Sequence, residues 1–202
     1  MIVNNRNSTE LMAPAGSFET LMAAVQGGAD AVYFGADKLN MRSFSANNFS
    51  VSDIKQVVDI CNEHKILAYL ALNTVIYDND IPLMQQILNA AKDAGVSAII
   101  ATDHAVIHYA RTLGLTVHAS TQLNISNIQA VRFYAQFTDV IVLARELTLE
   151  QVADIARRIH QEQIKGPSGQ LVRIELFIHG ALCMSVSGKC YLSLHEMACS
   201  AN

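Results

Sequence analysis

The sequence is poor in charge and in cysteine. Charged residues make up 16% of the 202 positions and hydrophobic residues 51%. That balance excludes a disordered chain and supplies the apolar mass for a sizeable core. There is no excess of positive charge: the formal net charge is −4 and the pI about 5.9. No global basic field draws the chain onto nucleic acid, which leaves only a local patch for that purpose. Mean hydropathy is +0.23, yet polar residues interrupt every apolar run well before the roughly 18 residues a membrane span needs. Residues 1–10 contain no apolar signal core. A soluble, cytoplasmic protein with no membrane partner is expected. Four cysteines, Cys61, Cys183, Cys190 and Cys199, do not suggest a secreted disulfide scaffold at this length. The sequence also lacks a G-x-G-x-x-G turn, an H-E-x-x-H pair, a G-x-S-x-G elbow and a Walker motif. Peptidase chemistry therefore has no recognisable nucleophile or zinc pair.

What the sequence does hold is an alternation of short apolar runs with longer amphipathic stretches. Strands are expected near 11–13, 29–34, 66–72, 96–101, 115–119, 140–144 and 173–178, with six helices between them. Val51, Ile54, Val57, Val58 and Cys61 fall on one helical face. Cys61 is thus expected to be a buried, inert thiol without a metal role. Ser17 reads as an N-cap, and Ser126 with Gln129 and Thr148 with Gln151 read as capping boxes. The middle strands are apolar throughout, as in a parallel sheet covered on both faces. An open doubly wound sheet and a (β/α)8 barrel both fit that pattern. The missing glycine fingerprint weakens the first. Seven strands are one short of a closed barrel, so the expected fold is α/β, a (β/α)8 TIM-type barrel truncated after about seven strands.

In such a barrel function collects at the carboxyl ends of the strands. Those ends carry His118, Gln122, Arg145, Glu146 and His179 as candidate catalytic residues, and Gly16, Gly35, Arg42 and Asn73 as candidate substrate contacts. Several have a plainer alternative. A histidine such as His118 on a buried strand is more often a hydrogen-bonded core residue than a catalyst. Arg145 and Glu146 read as a salt bridge between neighbouring loops, Gly16 as the pivot of a tight turn and Asn73 as a cap. Asp78 and Asp80 suit the start of the third helix, where negative charge offsets the dipole. Cys183 and Cys190 stand too far apart for a C-x-x-C pair. They are either reduced thiols or thiolate ligands for iron–sulfur or zinc.

The run Glu175-Leu-Phe-Ile-His-Gly-Ala-Leu-Cys-Met-Ser-Val-Ser-Gly-Lys-Cys190 resembles the signature of the collagenase-like peptidase family. So, in order, do Glu10-Leu-Met-Ala-Pro-Ala-Gly16, Gly28-Ala-Asp-Ala-Val-Tyr-Phe-Gly35, His118-Ala-Ser-Thr-Gln122 and Val142-Leu-Ala-Arg-Glu-Leu147. The resemblance covers nearly the whole chain. Within the family, Ala71-Leu-Asn-Thr-Val-Ile-Tyr-Asp78 and Cys190-Tyr-Leu-Ser193 most resemble the branch that hydroxylates a ribosomal RNA cytidine.

The resemblance implies a barrel and oxygen-independent hydroxylation of an RNA base, in ribosomal or transfer RNA. It also implies a 4Fe-4S cluster in the full-length protein, with Cys183 and Cys190 matching the first two cysteines of the ligand set. Cys199 stands where many members have arginine and is not counted as a ligand. Residues 1–202 are expected to be a single N-terminal barrel domain of a longer protein, with 183–202 opening the cysteine-containing segment. With half the ligands, this portion is expected to hold no cluster, because a half-set binds metal weakly. The tail after about Cys190 is expected to pack irregularly or fill the place of the missing unit. The exposed edges of the first and seventh strands are expected to be covered by that tail or by a second copy of the chain, forming a homo-oligomer. Two other functions stay open: a peptidase acting on collagen-like or other protein, and a non-catalytic scaffold binding RNA or protein.

Overall fold

The computed structural model of the protein describes residues 9–40, 49–180 and 185–189. Arg42, Cys183, Cys190, Cys199 and the tail expectation lie outside the described residues.

Seven parallel strands form one sheet: β1 (Met12–Pro14), β2 (Ala31–Gly35), β3 (Leu67–Leu72), β4 (Ala98–Ala101), β5 (Val117–Ala119), β6 (Val140–Val142) and β7 (Arg173–Glu175). Their order in the sheet is their order in the chain. Six α-helices alternate with them: α1 (Phe18–Gln26), α2 (Ile54–Glu63), α3 (Ile81–Ala94), α4 (His104–Thr112), α5 (Ile128–Tyr134) and α6 (Leu149–Gln161). This is the expected truncated (β/α)8 barrel.

Strand periodicity divides each strand between two environments. Val32, Phe34, Leu70, Leu72, Ile99, Ala101 and Val117 pack in one buried cluster with Ile54, Val57, Val58 and Cys61 of α2 and Met84, Ile87 and Leu88 of α3. Ala119, Ile141 and Leu143 join Ile128 and Val131 of α5 and Ile155 and Ile159 of α6 in a second. The alternate residues Ala31, Tyr33, Tyr69, Ala71, Ala98 and Ile100 form a third cluster on the inner face. Inner-face side chains also meet across strands that are not neighbours. Arg173 of β7 lies 3.6 Å from Glu10, just ahead of β1, and the rings of Tyr69 and His118 stand 4.7 Å apart. The sheet is therefore curled, and β1 and β7 face each other across the gap.

Local chemistry explains most element boundaries. Ser17 caps α1 by accepting from Thr20 N, and Thr20 returns the capping box. Thr148 and Gln151 form the expected box at α6. Asp80 stands at the N-cap of α3, and Gly95 closes that helix in the left-handed region, at φ +81°. The cap of α5 is one residue later than the sequence pattern indicates. Asn127, not Ser126, has the extended backbone of an N-cap and accepts from Gln129 N and Ala130 N. Its single Oδ1 thus satisfies two of the free N–H donors of the first turn. Strands β6 and β7 are shorter than their apolar runs: Leu143 N still donates to Glu175 O at 3.2 Å, but Ala144 N turns to Ile125 O, and residues 176–178 lie beyond β7. Cys61 is fully buried, and burial pushes its thiol up to about 11. That places it as an unreactive small hydrophobe. Among the described residues no helix is long and apolar enough to cross a membrane.

Candidate functional site

The inner face carries a chain of polar groups through an otherwise apolar interior. The Tyr69 hydroxyl donates to Glu10 Oε1 at 2.7 Å, and Glu10 Oε2 faces Arg173 Nη1. Tyr69 packs its ring on His118, whose Nδ1 lies 4.0 Å from Glu175 Oε2. His118 is 2% exposed, and its Nδ1 has no hydrogen-bond partner among the described residues. Burial, with Arg173 close by, pushes the imidazole down to about 4. Burial, with Glu10 adding repulsion, pushes the Glu175 carboxyl up to about 7, against the opposing pull of Arg173. At neutral pH the imidazole is therefore uncharged while Glu175 is poised to hold or release a proton beside it. Burial also raises the Tyr69 phenol above its ordinary range, with its bond to Glu10 adding to the effect. Opposed shifts of this kind on adjacent groups mark acid–base sites more often than structural cores.

A second group lies at the carboxyl ends of the strands. Among the described residues, Thr74 Oγ1 after β3 and Thr102 Oγ1 after β4 are buried without hydrogen-bond partners, like His118 Nδ1 on β5. Three orphaned polar atoms on consecutive units call for a ligand or a functional role. After β6, Glu146 turns back to residues 185–189. Glu146 Oε1 accepts from Ser187 N at 2.7 Å and its Oε2 from the Ser187 hydroxyl at 3.1 Å. Arg145 Nε donates to the same hydroxyl oxygen at 3.4 Å. Burial works to raise the Glu146 carboxyl, but these hydrogen bonds and the Arg145 charge outweigh it and hold the group below its usual range. Ser187 is fully buried. Gly188 follows at φ +74°, and a Cβ there would sit 2.0 Å from the Gln122 carbonyl oxygen.

The expected site residues thus fall into two groups. Gln122, Arg145 and Glu146 meet through the Ser187–Gly188 turn, whereas His118 lies deeper, with Tyr69 and Glu175. His179 is exposed in the segment after β7. Gly16 donates its N–H to Thr20 Oγ1 at 2.9 Å and so belongs to the α1 cap. Gly35 is packed against Asn40, whose Cγ would lie 2.3 Å from a Cβ at that position. Asn73 is half-buried directly after β3. Sequence reasoning missed Glu10, Tyr69, Glu175 and Ser187. Arg173 and Glu175, alternate polar residues in a short apolar run, were the available signal for two charges on the inner face.

The profile of Peptidase family U32 matches residues 16–202. The chain belongs to that family. It is 57% identical over 98% of its length to a collagenase of Porphyromonas gingivalis, of which it covers 48%. It is 34% identical over 96% of its length to a tRNA hydroxylation protein of Bacillus subtilis, covering 44% of that protein. Identity is also 34%, again over 96% of the chain, to the Escherichia coli synthase of 5-hydroxycytidine in 23S rRNA, 28% of which is covered. The chain therefore spans less than half the length of these relatives. The solved structure of the U32 peptidase Mk0906 aligns with a TM-score of 0.64 at 16% identity, over 84% of this chain and 67% of that one. This supports the barrel fold.

Cys183 and Cys190 bracket the docked turn in sequence, and among the described residues no three His, Cys, Asp or Glu side chains group as a metal site.

Proposed function

We propose that this chain is the barrel portion of an enzyme that hydroxylates a base in ribosomal or transfer RNA. Cys183 and Cys190 would hold part of an iron–sulfur cluster in the whole protein. The observation that carries the reading is the Ser187–Gly188 turn. It lies between the two cysteines in sequence, is hydrogen-bonded to the loop after β6 and lies close against the loop after β5, at the end of the barrel where active sites form. The hydroxylation names of two relatives supply the substrate class. A bound cluster would supply electron transfer. The chain's own groups hold the base and manage protons: Thr74, Thr102 and His118 offer unfilled hydrogen-bonding capacity, and Glu175 holds a proton near neutral pH beside a neutral imidazole.

Deleting the gene is expected to remove one hydroxylated nucleoside from rRNA or tRNA digests analysed by mass spectrometry, and a plasmid copy is expected to restore it. Unchanged nucleosides in both RNA pools would defeat the proposal.

A second reading, a peptidase acting on collagen-like protein, draws on the collagenase relative. Cleavage of a peptide library by purified full-length protein, iron-loaded and metal-free, decides for or against that activity.

A further inference from the structure

Glu146 sits after β6 among the strand-end polar residues, where a proton-transfer role would be natural. Its geometry argues for a different one. Both carboxylate oxygens are occupied by Ser187, one by the backbone N–H and one by the hydroxyl. Bonds from Ser187 hold the carboxyl in its ionised form, so it is a weak proton acceptor near neutral pH. Arg145 closes the arrangement from the other side of the same hydroxyl.

The turn that Glu146 grips is itself tightly specified. Lys189 N donates to Val186 O at 2.9 Å, closing a four-residue turn with Ser187 and Gly188 at its centre. Gly188 takes a positive φ that L side chains rarely adopt, and its missing Cβ lets the backbone lie directly on Gln122 O. Ser187 is buried completely. A charged fork on one side and a side-chain-free contact on the other therefore seat one turn on the β5 and β6 loops. Two residues separate this turn's first residue, Val186, from Cys183 in sequence, and its last residue, Lys189, directly precedes Cys190. Seating the turn restricts how far either cysteine can travel from the barrel mouth.

We infer that Glu146, with Gly188, is a latch that positions the cysteine-bearing segment on the barrel. Glu146 is thus a positioning residue rather than an acid or base. This rests on the proposed cluster. Preorganised supporting groups of this kind commonly strengthen metal binding about tenfold to a hundredfold.

The test uses anaerobically purified full-length protein in four forms: wild type, Glu146→Ala, Glu146→Gln and Gly188→Ala. Glutamine can accept from the Ser187 N–H with its carbonyl and donate to the hydroxyl oxygen with its amide, so it should preserve the fork. Three quantities are read: iron retained against a chelator, the electron paramagnetic resonance spectrum of the reduced protein, and hydrogen exchange at the Ser187 amide. Glu146→Ala is expected to speed Ser187 exchange about tenfold, as loss of a charge-assisted bond implies. It is also expected to lose iron about tenfold more readily, with an altered spectrum. Gly188→Ala should do the same, and Glu146→Gln should stay close to wild type. Thermal melting monitored by circular dichroism should be nearly unchanged in Glu146→Ala, which separates loss of the latch from loss of the fold. Wild-type protein that holds iron with Glu146→Ala holding it equally well overturns the latch alone. Wild-type protein without iron overturns the cluster reading and this inference with it.

Discussion

Replacing Glu175 by glutamine is expected to make the protein more stable at pH 8, by about 2–3 kcal/mol. The carboxyl lies on the inner face and burial raises it from 4.5 to about 7. The folded state thus binds this proton more tightly than the unfolded state does. Its contribution is fully present below 4.5 and is lost as pH rises through 7. His118 works in the opposite sense. Its folded value is depressed from 6.5 to about 4, so its contribution is present above 6.5 and lost as pH falls toward 4. Between 4.5 and 6.5 the two slopes oppose each other. The wild-type stability curve should be nearly flat over that interval as far as this pair contributes. In Glu175→Gln the histidine acts alone, and stability should climb with pH to about 6.5, at up to about 1.4 kcal/mol per pH unit. Urea unfolding midpoints measured from pH 4.5 to 8 give the comparison. Parallel curves for the two proteins would show that Glu175 is not held away from its ordinary range. A carboxyl kept at a cost to stability is expected of a functional group and not of a packing residue.

Phe49→Ala should cost about 3–5 kcal/mol, the range for removing a fully packed aromatic ring. Phe49 is 3% exposed and meets two other rings edge-on, Phe18 of α1 at 5.1 Å and Phe34 of β2 at 5.7 Å. Its carbonyl accepts from Asp37 N at 2.9 Å, and it bridges in parallel to Ala36. One side chain thus fixes the return of the chain after residues 41–48 to the end of β2 and to α1. Phe49→Leu keeps most of the apolar volume and should cost about 1–2 kcal/mol. Chemical denaturation of both variants gives the contrast. A loss below about 1 kcal/mol in Phe49→Ala would mean that the site collapses around the missing ring.

The helix and strand sequence was legible because periodicity records which face is buried. The apolar spacing of Ile54, Val57, Val58 and Cys61 leads directly to the packed face of α2. Strand ends were less legible, since Ala144 stays buried although its N–H has turned from the sheet to Ile125 O. Burial and hydrogen-bonded pairing are different properties, and hydrophobicity reports only the first. At the candidate site, sequence reasoning located the strand-end residues but not their division into two groups. His118 was visible as a polar residue in an apolar strand. Its companions Tyr69 and Glu10 belong to units far away along the chain and meet it only because the sheet curls. Glu146 was visible too, but its hold on Ser187 depends on a loop returning over the barrel. No local pattern encodes that return.

Strand order that simply repeats chain order also bears on how this protein forms. Each new strand pairs with the one completed just before it, so assembly proceeds by a series of short loop closures, each with a modest entropic penalty. The sheet can grow outward from any early pair, unit by unit. Glu10 and Arg173 lie at opposite ends of this series, and they meet only after every intermediate strand has been added. If their contact forms late, Glu10→Gln is expected to speed unfolding and leave the folding rate nearly unchanged in stopped-flow measurements.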